Sequence, residues 1–109
     1  MANQNEAPVL ALLANMTADS LEASSLDPQA IALVRIAALV AIDAPPASYL
    51  ANLALAGDLD VDEDQVRGVL TAVAPIVGTA RVVSATGSIL RALGLALDLA
   101  ELDEEPADE

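Results

Sequence analysis

The chain contains neither cysteine nor histidine. Without cysteine there are no disulfides, thiol nucleophiles or thiolate metal sites. Without histidine, the side chain that titrates nearest neutral pH and the commonest imidazole ligand are missing. We therefore expect neither a metal ion nor a cofactor, and any chemistry is left to carboxylates, hydroxyls, amides and guanidinium groups.

Aromatic residues are almost absent, since Tyr49 is the only one. The core of this single 109-residue domain must therefore consist of Leu, Ile, Val and Ala. Hydrophobic residues nevertheless make up 55% of the chain, above the roughly 45–50% typical of soluble domains. So small a domain has more apolar surface than one core can hide, which favours self-association. The alternative is that alanine inflates the percentage and little of the surface is apolar.

Cations are scarce as well: there are four arginines and no lysine, and the formal net charge is −13. Such a chain repels nucleic acid and anionic membrane surfaces, so we expect neither as a partner. The first ten residues lack a positive signal-peptide region, and no uncharged apolar run reaches about 18 residues. These features predict a cytoplasmic protein. The acidic residues at 103–109 predict a solvated tail.

Hydrophobic periodicity predicts an all-α fold, a compact bundle of five to six helices along the chain, with its helical domain over residues 27–102. The central helix, 28–43, should begin with Asp27 as N-cap and Pro28 in its first turn. It is apolar on every side except at Arg35, so we expect it to be covered all round, by neighbours in its own subunit or by a partner, and to be the most buried element.

The helix predicted over residues 63–77 has the clearest amphipathic pattern. Asp62 and Gln65 form a capping-box pair before it. Pro75 should bend or end it. Its apolar face comprises Val66, Val69, Leu70, Val73 and Val77.

Three further elements complete the predicted bundle. Residues 1–26 form an apolar segment and linker, with a short apolar stretch over 8–15. A helix over 46–57 should be closed by Gly57 as C-cap, and a last helix should run from Thr79 to about residue 100. Small side chains recur along that last helix every four residues, a groove for another helix: Ala80, Ser84, Ser88, Ala92, Ala96 and Ala100.

The order of these segments is similar to a known family. The run "LVRIAALVAIDAPPASYLANLALAGDLDVDEDQVRGVLTAVAPIVGTARVV" has an Arg-containing apolar helix, a turn, and a helix ending "ANLALAG". An acidic capped helix and a "VG-x-A-R" step follow. Together they resemble the carboxymuconolactone decarboxylase family, which includes alkylhydroperoxidase D-like redox proteins, over about residues 27–102. The resemblance implies small all-α protomers that assemble as trimers or hexamers, with sites near subunit contacts.

The reactive groups of that family are missing here. Its redox branch carries Cys-x-x-Cys-x-x-x-His at the turn, and those positions fall on Asp43, Pro46 and Leu50. Peroxide reduction needs a thiolate to attack oxygen and a second thiol to resolve the product. We therefore expect no thiol peroxidase activity. The histidine implied for the decarboxylase branch is absent too.

The polar groups that remain near the turn are the candidate site residues. Asp43 and Tyr49 are candidate acid–base groups if burial shifts their pKa values. Arg35 and Arg81 are candidate anchors for a small carboxylate ligand, and Asn52 is a further binding candidate. The competing interpretation is that both arginines pair with Asp43 or another carboxylate and only fix helix or subunit packing.

The alternating aspartates from Asp58 to Asp64 resemble the start of a calcium loop. That pattern also needs glycine at its sixth position and glutamate at its twelfth, where this chain has Glu63 and Val69. Helix capping and loop solvation explain these aspartates better.

Three functions stay open. The first is a non-catalytic oligomeric scaffold or binding protein, and the second is a cofactor-independent lyase or isomerase acting on a small carboxylate or lactone. In the third, the segment "APVLALLANM" docks on a partner protein. For assembly we expect a homo-oligomer, a trimer or hexamer by the resemblance, with Arg35 and Arg81 near subunit contacts and residues 101–109 facing solvent.

Overall fold

A computed structural model describes residues 7–104, with side-chain environments for residues 7–98. This part of the chain contains five helices and no strand, which confirms the all-α prediction. The predicted tail, apart from the end of the last helix, lies outside the described residues. The helices are α1 (Ala7–Ala23), α2 (Pro28–Ala41), α3 (Pro46–Asp58), α4 (Glu63–Val77) and α5 (Thr79–Glu104).

The start of α2 follows the sequence signals. The Asp27 side chain accepts hydrogen bonds from the main-chain N–H groups of Gln29 (2.9 Å) and Ala30 (3.3 Å). It thereby satisfies donors that the first turn of a helix leaves free. Ile36 and Val40 are fully buried, as predicted for the central helix. Val34 is 55% exposed in the single chain, so coverage of that side of α2 by a partner stays a prediction.

The start and the apolar face of α4 are also confirmed. Asp62 and Gln65 exchange both capping-box hydrogen bonds, each at 2.9 Å. The predicted valine and leucine face packs against the core. Pro75 lies inside the helix, which continues to Val77, and Gly78 then turns the chain with φ +91°, a value that suits only glycine well.

Three predicted boundaries are wrong. Gly57 does not end its helix: α3 continues through Asp58, and Asp60 takes the left-handed conformation with φ 65°. The N-terminal apolar stretch is one continuous helix of 17 residues, because no residue after position 15 is strong enough to break it. The last helix continues to Glu104, past residue 100.

Helix α1 contributes no buried side chain, so the core belongs to α2–α5. One hydrogen bond ties α1 to α2, from the Arg35 guanidinium Nη2 to the main-chain oxygen of Thr17 at 3.3 Å. Five of its large apolar side chains are more than half exposed: Val9, Leu10, Leu12, Leu13 and Met16.

Helix α5 packs one side against the core and leaves the other open. In the predicted small-residue row, Ser88 and Ala92 are buried, whereas Ala80, Ser84 and Ala96 are exposed. The stretch Thr79–Asp98 has a mean hydropathy of 1.3, so by length and composition alone it passes as a membrane span. A core helix passes the same test, and Arg81 and Arg91 lie within the stretch.

The burial pattern predicts a large stability difference between two isoleucines. Ile36→Ala leaves a cavity in the core and should lower the free energy of unfolding by about 2–5 kcal/mol. Ile76→Ala, at a residue that is 86% exposed, should change it by less than about 0.5 kcal/mol. Urea unfolding of both variants at one protein concentration measures this, and equal losses would contradict the placement of α2 in the core.

Candidate functional site at the α2–α3 elbow

The elbow, residues 42–45 between α2 and α3, contains an aspartate that closes the C-terminus of α2. The N–H of Asp43 donates to the oxygen of Val40 at 3.2 Å, and that of Ala44 donates to the oxygen of Leu39 at 3.0 Å. These are the two bonds of a Schellman motif, and Asp43 supplies its left-handed residue with φ 56°. Aspartate adopts this conformation at some cost, whereas glycine does so freely.

The same motif recurs at the end of α3. There the N–H of Asp60 donates to the oxygen of Gly57 at 3.1 Å, and that of Val61 donates to the oxygen of Ala56 at 2.9 Å. Asp60, with φ 65°, occupies the position that Asp43 has in the elbow. The backbone conformation of Asp43 is therefore a way of ending a helix in this chain. What distinguishes the elbow is the contacts of its side chains.

Two side chains of α5 bind the elbow. The Ser84 hydroxyl donates to the Asp43 carboxylate oxygen Oδ1 at 2.6 Å, a short distance typical of a charged acceptor. One turn earlier, the Arg81 guanidinium Nη1 donates to the main-chain oxygen of Ala41. This carbonyl belongs to the last turn of α2, whose oxygens have no partner within the helix. The pair holds α5 against the end of α2.

Tyr49 lies on α3 and is fully buried. Its hydroxyl has no hydrogen-bond partner among the described residues, an uncommon condition for a buried polar atom. Burial raises the pKa of Tyr49, and the negative charge of Asp43 raises it further. The phenol therefore stays protonated at neutral pH, and it is suited to donate a proton or a hydrogen bond rather than to act as a base.

The structure brings three of the five candidates to the elbow: Asp43, Tyr49 and Arg81. The other two form their hydrogen bonds elsewhere. Half-buried Arg35 donates to the oxygen of Thr17, and the Asn52 side-chain nitrogen Nδ2 donates to the oxygen of Ser48 at 2.9 Å within α3.

Within residues 7–98 of one chain, Arg35 and Arg81 form no pair with a carboxylate, and pairing across a subunit contact stays a prediction. Arg35 and Arg81 both bind main-chain oxygens instead. Within the same residues the ion pairs belong to Arg67, which contacts Glu63 at 3.1 Å and Asp64 at 2.9 Å. All three of these side chains are largely exposed, so the pairs contribute little to stability.

Ser84 is the elbow residue that the sequence did not single out. It entered the sequence prediction only as a member of a row of small residues. The one usable signal was its place three residues after Arg81, which puts both side chains on one face of a helix. Its partner, Asp43, lies 41 residues earlier in the chain.

An apolar depression of about 220 Å3 lies at the other end of α3. Leu53, Ala56 and Gly57 of α3 form one wall, and Val66 of α4 and Leu93 of α5 form the others. Asp62 and Glu63 lie at its rim, where Asp62 caps α4 and Glu63 is in the first turn of that helix. Apart from these two rim carboxylates its lining is apolar, so among the described residues we look for chemistry at the elbow.

The environment of Tyr49 predicts its titration. Because it is the only aromatic residue, its tyrosinate absorbance can be followed without interference. We expect a pKa above the ordinary value of about 10. The folded chain then holds this proton more tightly than the unfolded chain, so the free energy of unfolding falls as pH rises above about 10.

Two variants separate the causes of this shift. Asp43→Asn should lower the pKa of Tyr49 but leave it raised, because burial is the larger cause. Asp60→Asn, which removes the equivalent aspartate of the other Schellman motif, should leave it unchanged. An ordinary pKa in the wild-type chain, or an equal response to both variants, would contradict the described elbow.

Comparisons with known proteins give no relative. No protein-family model matches the chain, and neither the curated proteins nor the solved structures contain a match. The likeness to the carboxymuconolactone decarboxylase family therefore rests on the order and spacing of the sequence segments.

Proposed function

We propose that the chain is a non-catalytic, oligomeric scaffold or binding protein of carboxymuconolactone decarboxylase type, without the redox chemistry of that family. The observation that carries the proposal is the apolar surface that one chain leaves open. All of α1 lies outside the core, and five of its large apolar side chains are 52–57% exposed. Monomeric proteins rarely expose a continuous apolar surface of this kind.

The open surface extends to other helices. Val34, within α2, and Ile42, directly after it, are 55% and 70% exposed. On α5, Val83 and Leu90 are 66% and 63% exposed. Covering about 400 Å2 of such surface stabilises an assembly by roughly 10 kcal/mol. Association costs an estimated 4–15 kcal/mol. About 600 Å2 of covered apolar surface would offset even the upper end of that cost.

The distribution of charge supports the same proposal. Residues 7–18, 28–42 and 79–97 contain no acidic residue, although the chain has a net charge of −13. The acidic side chains lie instead at helix ends, in loops and near the termini. Copies of the chain can thus meet through α1, α2 and α5 without placing carboxylates against each other.

The family resemblance supplies the expected subunit number, a trimer or a hexamer. In such an assembly Arg35 and Arg81 lie near subunit contacts. The elbow then has a structural role, because Ser84 and Arg81 fasten α5 to the end of α2 and so fix the surface that the assembly uses.

Light scattering coupled to size exclusion tests the proposal. At micromolar concentration and moderate salt we expect a mass three or six times the 11.1 kDa of the chain. A mass equal to that of one chain would overturn it.

A second function is favoured by one observation at the elbow. Tyr49 is a buried, protonated phenol without a partner among the described residues, and it feels the charge of Asp43. Exposed Arg81 donates to the main-chain oxygen of Ala41, two residues before Asp43, and its guanidinium has a fork geometry that suits a carboxylate. These groups form the candidate site of a cofactor-independent lyase or isomerase: Arg81 would anchor a small carboxylate or lactone acid, with Asp43 as base and Tyr49 as acid.

This function predicts a specific pattern of losses. If the wild-type chain converts a small lactone acid, followed by proton NMR, Asp43→Asn and Tyr49→Phe should each lower the rate at least about tenfold, since general acid–base groups contribute 10²–10⁴-fold. Asp60→Asn should leave the rate unchanged. Equal rates in all four proteins would exclude the elbow as the active site.

A further inference from the structure

Helix α5 has two apolar faces, and its own chain uses only one of them. Ala85, Ser88, Ile89 and Ala92 are buried against the core. At about 100° per residue, the opposite side of the helix carries Val83, Leu90 and Leu97, which are 66%, 63% and 67% exposed. They recur every seven residues and therefore form a stripe almost parallel to the helix axis. A helix that is apolar on both sides is normally covered on both.

Two glycines lie in the same stripe. Gly87 and Gly94 follow Val83 and Leu90 by four residues each, so both lie on this side of the helix, where Gly94 is exposed and Gly87 is half-buried. Glycine is a poor residue for a helix interior, yet neither position needs it: an added Cβ would meet nothing within 4 Å. The chain by itself gives no reason for either glycine. Close approach of another helix over this face does, because the missing side chains let the two backbones come near each other.

The charge of this surface indicates what can cover it. Residues 79–97 contain no acidic residue, in a chain with a net charge of −13, and exposed Asp98 follows them. Of their two arginines, Arg81 binds the main-chain oxygen of Ala41 at the elbow. A strongly basic partner would be drawn to the acidic loops instead. The acidic parts of the surface would repel a second copy of this chain, whereas a second copy can approach this acid-free face.

A membrane is the other candidate cover, and the structure disfavours it. The buried face of α5 packs against α2, α3 and α4, so a spanning helix would have to leave that core. It would also carry Arg81 and Arg91 into the bilayer, where charged side chains are strongly disfavoured.

From these observations we infer that the Val83–Gly87–Leu90–Gly94–Leu97 stripe is a self-association surface, on which α5 of a second copy packs antiparallel about a two-fold axis. Val83 and Leu97 lie seven residues on either side of Leu90. A two-fold axis near Leu90 therefore places Val83 of each copy against Leu97 of the partner subunit. Such an isologous contact uses one patch twice. The inference rests on the proposed oligomer and refines it, because a two-fold contact makes the number of subunits even: the hexamer rather than the trimer.

Cross-linking tests the two-fold directly, because the natural chain has no cysteine. Leu90→Cys introduces the only thiol, and two copies of it should meet at the axis. Mild oxidation, or a short bis-maleimide, should then convert most of the protein into covalent dimers. Ile76→Cys, on the exposed side of α4, is the matched control and should give only traces of dimer.

Disrupting the stripe provides the second test. Leu90→Glu adds a repelling charge, and Gly94→Leu fills the space between the helices while improving helix propensity. Each should reduce the mass in solution to half that of the wild type, with the circular dichroism of the helices unchanged. Ile76→Glu should keep the full mass.

The outcomes separate this inference from the proposed function. A monomeric wild type would overturn both. An oligomer with an odd number of subunits would overturn the inference and leave the oligomeric proposal standing. So would an oligomer that keeps its mass in Leu90→Glu and forms no covalent dimers in Leu90→Cys. Co-flotation of wild type, but not Leu90→Glu, with phosphatidylcholine vesicles, without covalent dimers of Leu90→Cys, would assign the stripe to a membrane and also overturn it.

Discussion

The shortage of aromatic side chains makes the core of this protein thin, and the rest of the structure follows from that constraint. Ile36 and Val40 of α2, with Tyr49 of α3, are the largest fully buried side chains. They meet a face of α5 made of small residues, among them Ala85 and Ala92. A small-residue face allows helices to pack closely, so few large side chains are needed to fill the interior. The remaining leucines and valines therefore stay near the surface, and the apolar excess of the sequence becomes an apolar exterior.

A thin core also needs its helices fastened at their ends, and the elbow does this for α2 and α5. An aspartate closes α2 although glycine would suit the left-handed position better, and its counterpart Asp60 shows that the fold accepts that cost twice. At Asp43 the carboxylate gains a partner in Ser84, while Arg81 satisfies a carbonyl in the last turn of α2. The contacts at the elbow thus account for Asp43, Ser84 and Arg81 without catalysis. The unpartnered hydroxyl of Tyr49 is the feature of this elbow that they leave unexplained.

Sequence patterns predicted what depends on neighbouring residues and missed what depends on distant ones. The capped starts of α2 and α4 and the apolar face of α4 were foreseen, because caps and periodicity act within one or two turns. Gly57 was expected to end α3, yet glycine is tolerated inside a helix and the stop comes from the Asp60 turn. At the site, five side chains were expected near the turn; Asp43, Tyr49 and Arg81 lie there, whereas Arg35 and Asn52 bind main-chain oxygens elsewhere. The hydrogen bond from Ser84 to Asp43 joins residues 41 positions apart, so no local sequence pattern predicts it.

The position of the acidic residues reconciles a net charge of −13 with the proposed self-association. At physiological salt, exposed charges are screened beyond about 8 Å. Asp27, Asp62 and Glu63 lie at helix starts, where negative charge is favourable, and Asp43 and Asp60 lie in turns. None of them lies within the acid-free segments of α1, α2 and α5. Repulsion between chains therefore acts mainly at the helix ends, which are not the proposed contact surfaces, and is weak along the apolar faces. The same charges that would oppose indiscriminate aggregation thereby confine association to those faces.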